Sequence, residues 1–477
     1  MTSRPNFVVF MPDQLRADAI EHVDTPHIDA LAARGTRFTN AFVQHPVCSP
    51  SRASILTGWY PHTAGHRSLT NLLKEHEPNL LRLLKEAGYH VTWAGARGDT
   101  FAPGVTEQSV HEYGFSTLPT AGYKGDYPDG VWSRLFYRGQ VPDDGRIDPD
   151  EAAVRTAEQW LAHPPENPWV LFVPLVAPHC PFQVEEPWFS RFDRAAVPDP
   201  AAPGDPSGEP RFMQAIRDRY GLGEVTQEQW REVVATYYGM IARLDDQLGR
   251  VTRAVEAAGA ADDTVTLFFA DHGEYLGDYG LIEKWPSAMH DCITRDPLII
   301  SGLGFTGGQV SDAMVEMIDV LPTVLELAGI EAPHRHFGRS LTPLLHDPDA
   351  AHRTYAFTEG GFTTEEEPQM ERPGFPYDLK GALQHEQPEL VGKAVAVRDR
   401  DWTYVWRLYE QPELYDRTKD PREQTNLAGD PAHADIERRL HDAVLRWLVE
   451  TTDVIPTTPD PRLPQVALPA PGTAQPH

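Results

Sequence analysis

Residues 46–58 have the sequence Pro46-Val47-Cys48-Ser49-Pro50-Ser51-Arg52-Ala53-Ser54-Ile55-Leu56-Thr57-Gly58. The part from Pro50 to Leu56 predicts a short helix, with proline in its first turn and Gly58 at its end. A group just before that turn faces unpaired backbone N–H groups and the positive end of the helix dipole, which together favour an anion. Arg52 adds a fixed positive charge four residues after Cys48. The segment therefore predicts an anion site beside Cys48.

Cys48 has two interpretations. Most isolated cysteines are small, buried and inert, and a reactive thiol needs an electropositive and partly open setting. The predicted helix start and Arg52 supply such a setting, so we favour the reactive role. The chain has two further cysteines, Cys180 and Cys292. Three scattered cysteines are too few for a disulfide framework or a structural zinc site.

The composition bounds the class of protein and its partners. The chain has 477 residues, with 40% hydrophobic and 23% charged residues, which is typical of a soluble globular protein with a large core. Its net charge of −28 argues against nucleic acid or an anionic membrane as partner. An anionic substrate would therefore need a locally positive pocket. The N-terminal apolar run Phe7–Phe10 is too short for a signal peptide or a membrane span, so we expect a cytoplasmic protein.

The first part of the chain, residues 1–345, alternates strand-like and helix-like patterns. This alternation predicts an α/β domain with a largely parallel sheet. The predicted strands are Phe7–Met11, His90–Ala94, Trp169–Val176, Thr264–Ala270 and Pro297–Ile300. The predicted helices are Pro26–Ala33, Asn79–Ala87, Asp150–Ala162 and a long one from about Thr226 to Ala258. Residues 119–150 and 195–224 are rich in Gly, Pro and Asp and predict long insertions of the kind that cover active sites.

Residues 346–455 predict a small α+β domain. Its predicted strands are Thr354–Thr358, Ala394–Val397 and Trp402–Trp406, and the helix Ala434–Glu450 follows them. The tail, residues 456–477, is rich in proline and poor in apolar residues. We expect it either to be disordered or to lie on another subunit of a homo-oligomer.

Polar residues follow three of the predicted strands. Asp13-Gln14, Asp271-His272 and His179-Cys180 come after the first, fourth and third strand, respectively. Because ligands bind beyond the carboxyl ends of the strands in an open α/β sheet, these residues should share one functional edge. A single aspartate in such a place is usually a helix cap. Two aspartates accompanied by Gln14 and His272 favour a metal site.

These motifs together resemble the sulfatase family along nearly the whole chain. The landmarks, in sulfatase order, are Asp13-Gln14, Thr25–Asp29, the Cys48 motif, Pro178–Pro181, Asp245–Gln247, Asp271–Gly273, Lys284 and Glu413–Asp416. The resemblance implies an alkaline-phosphatase-like three-layer α/β sandwich with a smaller C-terminal α+β domain. It also implies that a formylglycine-generating enzyme oxidises Cys48 to an aldehyde, whose hydrate is the nucleophile. The implied reaction is hydrolysis of a sulfate ester at the S–O bond.

The resemblance assigns a role to each matching residue. It implies that Asp13, Asp271, His272 and the hydrate at residue 48 bind one divalent cation. It further implies that Arg52 holds the hydrate, whereas Lys284 and His179 contact the sulfate and the leaving oxygen. His179 is then the candidate acid for the departing alkoxide. If His272 is not held by the metal, it is a candidate base.

Gln14 and His272 depart from the usual pattern. Many sulfatases carry a second aspartate and an asparagine at these places, and the present pair looks more like the phosphonate monoester hydrolase and choline sulfatase branches. An imidazole suits Mn²⁺ better than Ca²⁺, which prefers oxygen ligands, and both metals stay open. A phosphonate monoester or phosphodiester is therefore the alternative substrate. A non-catalytic anion-binding relative, with Cys48 left as a thiol, is a third hypothesis.

A second departure concerns residues 95–100. Many sulfatases have a Gly-Lys-Trp-His element there, whereas this chain has Gly95-Ala96-Arg97-Gly98-Asp99-Thr100. Either Arg97 or Thr100 supplies a replacement donor, or the substrate pocket is built differently, or Arg97-Gly98-Asp99 is an exposed turn. Gln14 is a further candidate for contact with the substrate. The sequence leaves the natural substrate open among a saccharide sulfate, a small aryl sulfate and a choline-like ester.

Overall fold

A computed structural model describes residues 4–95, 98–120, 127–142, 144–205, 208–457 and 462. The strands in this part of the chain are β1 Asn6–Asp13, β2 Gly35–Phe42, β3 His90–Ala94, β4 Glu112–Gly114, β5 Tyr137–Gln140, β6 Trp169–Pro178, β7 Phe182–Val184, β8 Thr264–Phe269, β9 Arg295–Gly302, β10 Gln309–Glu316, β11 Ala356–Gly360, β12 Ala394–Arg398, β13 Trp402–Arg407 and β14 Glu413–Asp416.

The α-helices in the same residues are α1 Pro26–Ala33, α2 Cys48–Thr57, α3 Pro61–Ala64, α4 Leu80–Glu86, α5 Val105–Ser109, α6 Pro149–Leu161, α7 Arg211–Tyr220, α8 Gln227–Ala257, α9 Asp291–Thr294, α10 Val320–Ala328, α11 Thr342–His346, α12 Asp378–Glu386 and α13 Ala434–Thr451. None of the described helices combines the length and the apolar character needed to span a membrane.

Eight strands form one large sheet in the order β10-β2-β9-β8-β1-β6-β3-β4. Neighbouring strands run parallel except on both sides of β9, which is antiparallel to β2 and to β8. The central strands β1, β6 and β8 are nearly continuous apolar runs because both of their faces are covered. The predicted mostly parallel α/β sheet is thus confirmed, with β8, β1 and β6 adjacent at its centre.

Helices cover both faces of this sheet. Along β1, Val8 and Phe10 belong to a core that includes residues of α1, α6 and α8. Phe7 and Val9 point to the opposite face, into a core with residues of α2, α4 and α10. The alternation of side chains along each strand therefore divides the interior into two layers, as expected for a three-layer sandwich.

A second, antiparallel sheet has the order β11-β12-β13-β14, and α13 packs on it. Its strands lie within two residues of the predicted ones, apart from β14, whose residues the sequence marks only as a family landmark. Between β11 and β12, the helix α12 packs on α7, and its Lys380 contacts Glu283 and Lys284 in the segment that follows β8. The C-terminal part therefore contributes residues near the carboxyl ends of the central strands.

Two predictions of local structure were incomplete. The strand β2 was not predicted, because its sequence Gly35-Thr36-Arg37-Phe38-Thr39-Asn40 is largely polar and gains its place by pairing with β9 and β10. The insertion 195–224 contains the helix α7, whose buried residues Phe212, Met213, Ile216 and Tyr220 form one apolar side. Most of the tail, residues 458–461 and 463–477, lies outside the described residues, so its predicted role in an oligomer stays a prediction.

Candidate active site

The carboxyl ends of three adjacent strands bring the candidate residues together. Asp13 is the last residue of β1, His179 follows β6, and Asp271-His272 follow β8 after one residue. The order β8-β1-β6 places these ends side by side.

The helix α2 brings Cys48 to the same edge. Cys48 is its first residue, and Val47 before it is extended, with φ −135° and ψ 144°. At the other end, Gly58 has φ +70° and its N–H donates to the carbonyl oxygen of Ser54, which closes the helix. A Cβ added at Gly58 would lie 2.7 Å from the Cβ of His336, so glycine is required there for space as well as for conformation. The predicted short helix that ends at Gly58 is confirmed, and its positive end lies at Cys48.

Four side chains form a compact cluster at this edge. Asp13, Cys48, Asp271 and His272 each offer one ligand atom, and these atoms lie within 4.8 Å of one another. All four residues are buried, the two aspartates and His272 completely. Such a set of two carboxylates, one imidazole and one further donor has the composition of a transition-metal site.

The orientation of His272 makes the cluster suited to a cation. Its Nδ1 donates to the carbonyl oxygen of Gly273 at 2.9 Å, and burial lowers its pKa below the ordinary value. The neutral ring therefore has its lone pair on Nε2, an atom that makes no hydrogen bond among the described residues. His272 Nε2 lies 3.6 Å from Asp13 Oδ1 and 3.9 Å from Asp271 Oδ1. A lone pair facing two carboxylates is unfavourable unless a cation lies between them, so these residues fit a divalent metal.

Arg52 fixes the two aspartates from the opposite side. Its side chain is 1% exposed, and Nη2 lies 2.8 Å from both Asp13 Oδ2 and Asp271 Oδ2. Nη1 donates to both carboxylate oxygens of Asp99 at 2.9 Å. Burial alone would lower the pKa of Arg52, but Asp271, Asp99 and Asp13 raise it above its ordinary value. In this structure, Arg52 is therefore a permanent cation that orients the carboxylates of the cluster.

Lys284 organises the other side of the site. Its ammonium donates to Glu283 Oε1 at 2.7 Å, to Gln14 Oε1 at 2.5 Å and to His179 Nε2 at 3.0 Å. An ammonium has three hydrogens, and here each of them has an acceptor. Gln14 completes the link, because its Nε2 donates to Glu274 and its backbone N–H donates to Asp271 Oδ1 at 3.0 Å. The backbone of Gln14 has φ +65°, an uncommon conformation that is held by these contacts.

Two buried glutamates complete this network. Burial, assisted by the nearby Glu283, raises the pKa of Glu274 to about 7. Burial opposes the ionisation of Glu283, but the Lys284 and Lys380 ammonium groups hold its pKa well below the usual range. Near neutral pH, Glu274 is therefore partly protonated whereas Glu283 is ionised, and Glu283 is the anion that balances Lys284.

The remaining substrate candidates have different outcomes. Arg97 lies outside the described residues. Thr100 is 3% exposed, and its carbonyl oxygen accepts a hydrogen bond from the Leu73 N–H at 3.1 Å. Its role toward a substrate stays a prediction.

Sequence reasoning missed Asp99, Glu274, Glu283 and Lys380 as parts of the site. Two of them carried a signal, because Glu283 precedes Lys284 and Glu274 comes two residues after His272. Asp99 lies inside the segment that departs from the Gly-Lys-Trp-His pattern. Lys380, in contrast, lies 96 residues after Lys284 and has no motif around it.

Comparison with known proteins identifies the family of this chain. The family model described as Sulfatase matches residues 5–330. The chain belongs to the sulfatase family. Sulfatase-type ester hydrolysis is accordingly its general activity, and the resemblance drawn from the motifs is confirmed.

Relatives of this sulfatase-family chain cover nearly its full length. It is 29% identical to the multifunctional alkaline phosphatase superfamily protein PehA of Trinickia caryophylli, over 94% of this chain and 96% of that protein. It is 26% identical to the choline-sulfatase of Rhizobium meliloti, over 90% and 83% of the two chains. Among solved structures, the phosphonate monoester hydrolase of Agrobacterium radiobacter superposes with a TM-score of 0.75 at 25% identity, over 94% of this chain and 96% of that one.

Proposed function

We propose that this protein hydrolyses a sulfate ester with a formylglycine formed from Cys48 and one divalent metal. The observation that carries the proposal is the cluster of Asp13, Cys48, Asp271 and His272 at the N-terminus of α2. A formylglycine-generating enzyme would be its partner during maturation. The substrate would be a saccharide or small-molecule sulfate ester.

The surroundings of Cys48 argue against an unmodified thiol as nucleophile. Burial, followed by the charge of Asp13, raises the pKa of the Cys48 thiol to about 12. A thiol with such a pKa is almost entirely protonated near neutral pH, and the thiolate is the form that attacks. An aldehyde hydrate at this position avoids the problem and, through its second hydroxyl, allows sulfate to leave by elimination.

The residues that would hold the metal are Asp13, Asp271, His272 and the converted Cys48. A bound divalent metal would lower the pKa of a hydroxyl group and balance negative charge. The nitrogen ligand supports Mn²⁺ over Ca²⁺. The position of His272 Nε2 between the two aspartates supports a metal-binding role for His272 rather than a role as base.

The leaving oxygen would be served by Lys284 and His179. His179 Nδ1 donates to the carbonyl oxygen of Cys180 at 2.6 Å, so Nε2 of the neutral ring accepts from Lys284 at 3.0 Å. Burial and then the charge of Lys284 lower the pKa of His179 to about 4. In the free protein the proton between these two groups therefore belongs to Lys284. We assign protonation of the departing alkoxide to this pair, with Lys284 also holding the sulfate.

A phosphonate monoester is the second candidate substrate. The observation that favours it is the position of Gln14, whose side chain joins Lys284 to Glu274 at the place where many sulfatases have a carboxylate. A sulfate ester and a phosphonate monoester each carry one negative charge, so Gln14 favours the phosphonate through its resemblance to the phosphonate monoester hydrolase branch and not through charge. The likeness to phosphonate monoester hydrolases supports the same candidate.

Two measurements test these proposals. The first is the mass of the tryptic peptide Phe38–Arg52 from protein produced together with a formylglycine-generating enzyme. Conversion replaces the sulfur and two hydrogens of Cys48 by one oxygen, whereas an unchanged peptide would contradict the formylglycine proposal. The second is turnover of an aryl sulfate and an aryl phosphonate monoester with the same leaving group. Preference for the sulfate supports the first candidate, and preference for the phosphonate replaces it by the second.

A further inference from the structure

A lysine from the C-terminal part of the chain contacts the candidate active site at Glu283 and Lys284. Lys380 lies on α12 and is 6% exposed. Its ammonium donates to Glu283 Oε2 at 2.5 Å and to the carbonyl oxygen of Lys284. It also lies 5.9 Å from the ring centre of Trp285. An anion, a carbonyl oxygen and an aromatic ring thus hold Lys380 in one place.

Glu283 is shared between two lysines. One of its oxygens accepts from the Lys284 ammonium at 2.7 Å and the other from the Lys380 ammonium at 2.5 Å. Because one carboxylate faces two ammonium groups, the three side chains keep one net positive charge. The Lys284 side of this trio faces His179 and Gln14, where an anionic substrate would bind.

We propose that Lys380 is a positioning residue for the reaction, which holds Glu283 behind Lys284 and thereby leaves Lys284 with a positive charge to offer the substrate. This inference rests on the proposed function, in which Lys284 and His179 serve the substrate. If Lys380 only joined the two parts of the chain, its removal would lower stability and leave the electrostatics of the reaction unchanged.

Loss of the Lys380 charge would act on both anion binding and proton transfer. Glu283 would then neutralise Lys284 more fully, so a substrate anion would be held less strongly. The charged and titratable groups that face His179 are Lys284, Asp13, Glu283 and Cys180. Burial and the Lys284 charge lower the pKa of His179, whereas Asp13 and Glu283 raise it, so a less compensated Glu283 would move this pKa upward.

The test compares three variants of the full-length, metal-loaded protein. Lys380→Met removes the charge and keeps the apolar stem, and Lys380→Arg restores a charge. Glu386→Gln is the matched control, because Glu386 lies on the same helix and pairs with the more exposed Arg219. The readouts are kcat/KM as a function of pH, on whichever aryl ester the wild type hydrolyses, and thermal stabilisation by inorganic sulfate and phosphate.

We expect Lys380→Met to lose about 10- to 100-fold in kcat/KM, the range that is typical when a partner orienting an active-site group is removed. The alkaline limb of the pH profile of kcat/KM reports loss of the proton from the Lys284–His179 pair, and in Lys380→Met this limb should move to higher pH. The stabilisation of this variant by sulfate or phosphate should weaken. Lys380→Arg should restore the position of the limb, and Glu386→Gln should match the wild type.

A Lys380→Met protein with the wild-type pH profile and anion affinity would overturn the proposal. A Lys380→Arg protein whose pH profile shifts as far as that of Lys380→Met would overturn it as well. Should Lys380→Met not fold, Lys380→Gln removes the charge while keeping a donor for Glu283, and the same comparison decides. A wild type that hydrolyses neither ester would refute the proposed function, whereas the anion-binding comparison would still decide the role of Lys380.

Discussion

Replacing Arg52 by methionine tests the charge balance of the site most directly. In the wild type, the Arg52 guanidinium lies 2.8 Å from Asp13 and from Asp271, and both aspartates are completely buried. Removing one member of a buried ion pair typically costs about 3–5 kcal/mol, because the partner charge stays buried. Since Arg52 serves two buried aspartates, we expect the free energy of unfolding of the metal-free variant to fall by at least that amount.

Metal should recover part of this loss. A ligand that binds only the folded protein stabilises it by about 2.7 kcal/mol when its concentration is about 100 times its Kd. In Arg52→Met, a divalent cation between Asp13 and Asp271 would also compensate charges that the guanidinium no longer balances. We therefore expect added Mn²⁺ to raise the urea midpoint more in the variant than in the wild type.

Arg353→Met is the matched control. Arg353 is also a buried arginine between two acids, Glu316 at 2.8 Å and Asp319, but these residues are not part of the metal cluster. The stability of the wild type and of the two variants is measured by unfolding in urea, monitored by tryptophan fluorescence, once with EDTA and once with excess Mn²⁺. Both variants should be destabilised in EDTA, and only Arg52→Met should show the enlarged response to metal. An equal response in the two variants would show that Arg52 does not balance the metal-binding carboxylates.

Three further predictions concern single positions. Cys48→Ala should lower ester hydrolysis by about 10³-fold or more, while Cys292→Ala keeps it, as measured on an aryl ester after maturation. Gly58→Ala should lower the free energy of unfolding by more than the about 1–2 kcal/mol of a left-handed backbone, because its Cβ meets a neighbouring side chain. In Gly88→Ala, where φ is +93° and the space is open, unfolding in urea should show only the backbone cost. Burial lowers the pKa of His290 from its ordinary 6.5 to about 4. The folded state thus binds fewer protons than the unfolded one between these values, and wild-type stability should fall as the pH drops from 6.5 toward 4, with a flatter dependence in His290→Phe.

The sequence predicted the elements whose signals are local. The helix α8 begins after the Thr226 cap and ends at Ala257, close to its predicted bounds, because its apolar spacing and its capping box lie within the segment itself. The central strands were found for the same reason, since each is a continuous apolar run. The strand β2 was missed because only its partners in the sheet make it a strand.

The residues of the candidate site likewise fall into a group that the sequence predicted and a group that it did not. Asp13, Asp271 and His272 follow strands, so the rule for the carboxyl ends of strands predicted that they share one edge. Cys48 was joined to them by the resemblance of its motif to that of sulfatases. The contacts of Asp99 with Arg52 and of Lys380 with Glu283 join segments 47 and 97 residues apart. Such pairings depend on the path of the loops, which a single sequence does not reveal.

The described charges explain how so acidic a protein can receive an anion. The cations at the site are Arg52, Lys284 and Lys380, and the carboxylates in contact with them are Asp13, Asp99, Asp271 and Glu283. With three cations against four carboxylates, this group carries a net charge of −1 before metal enters and +1 once a divalent ion is bound. The negative charge of this group lies around Asp13, Asp99 and Asp271, and a divalent ion bound there would make the whole site more favourable to an anionic ester. On this charge balance, a divalent ion at the cluster would favour binding of the anionic substrate.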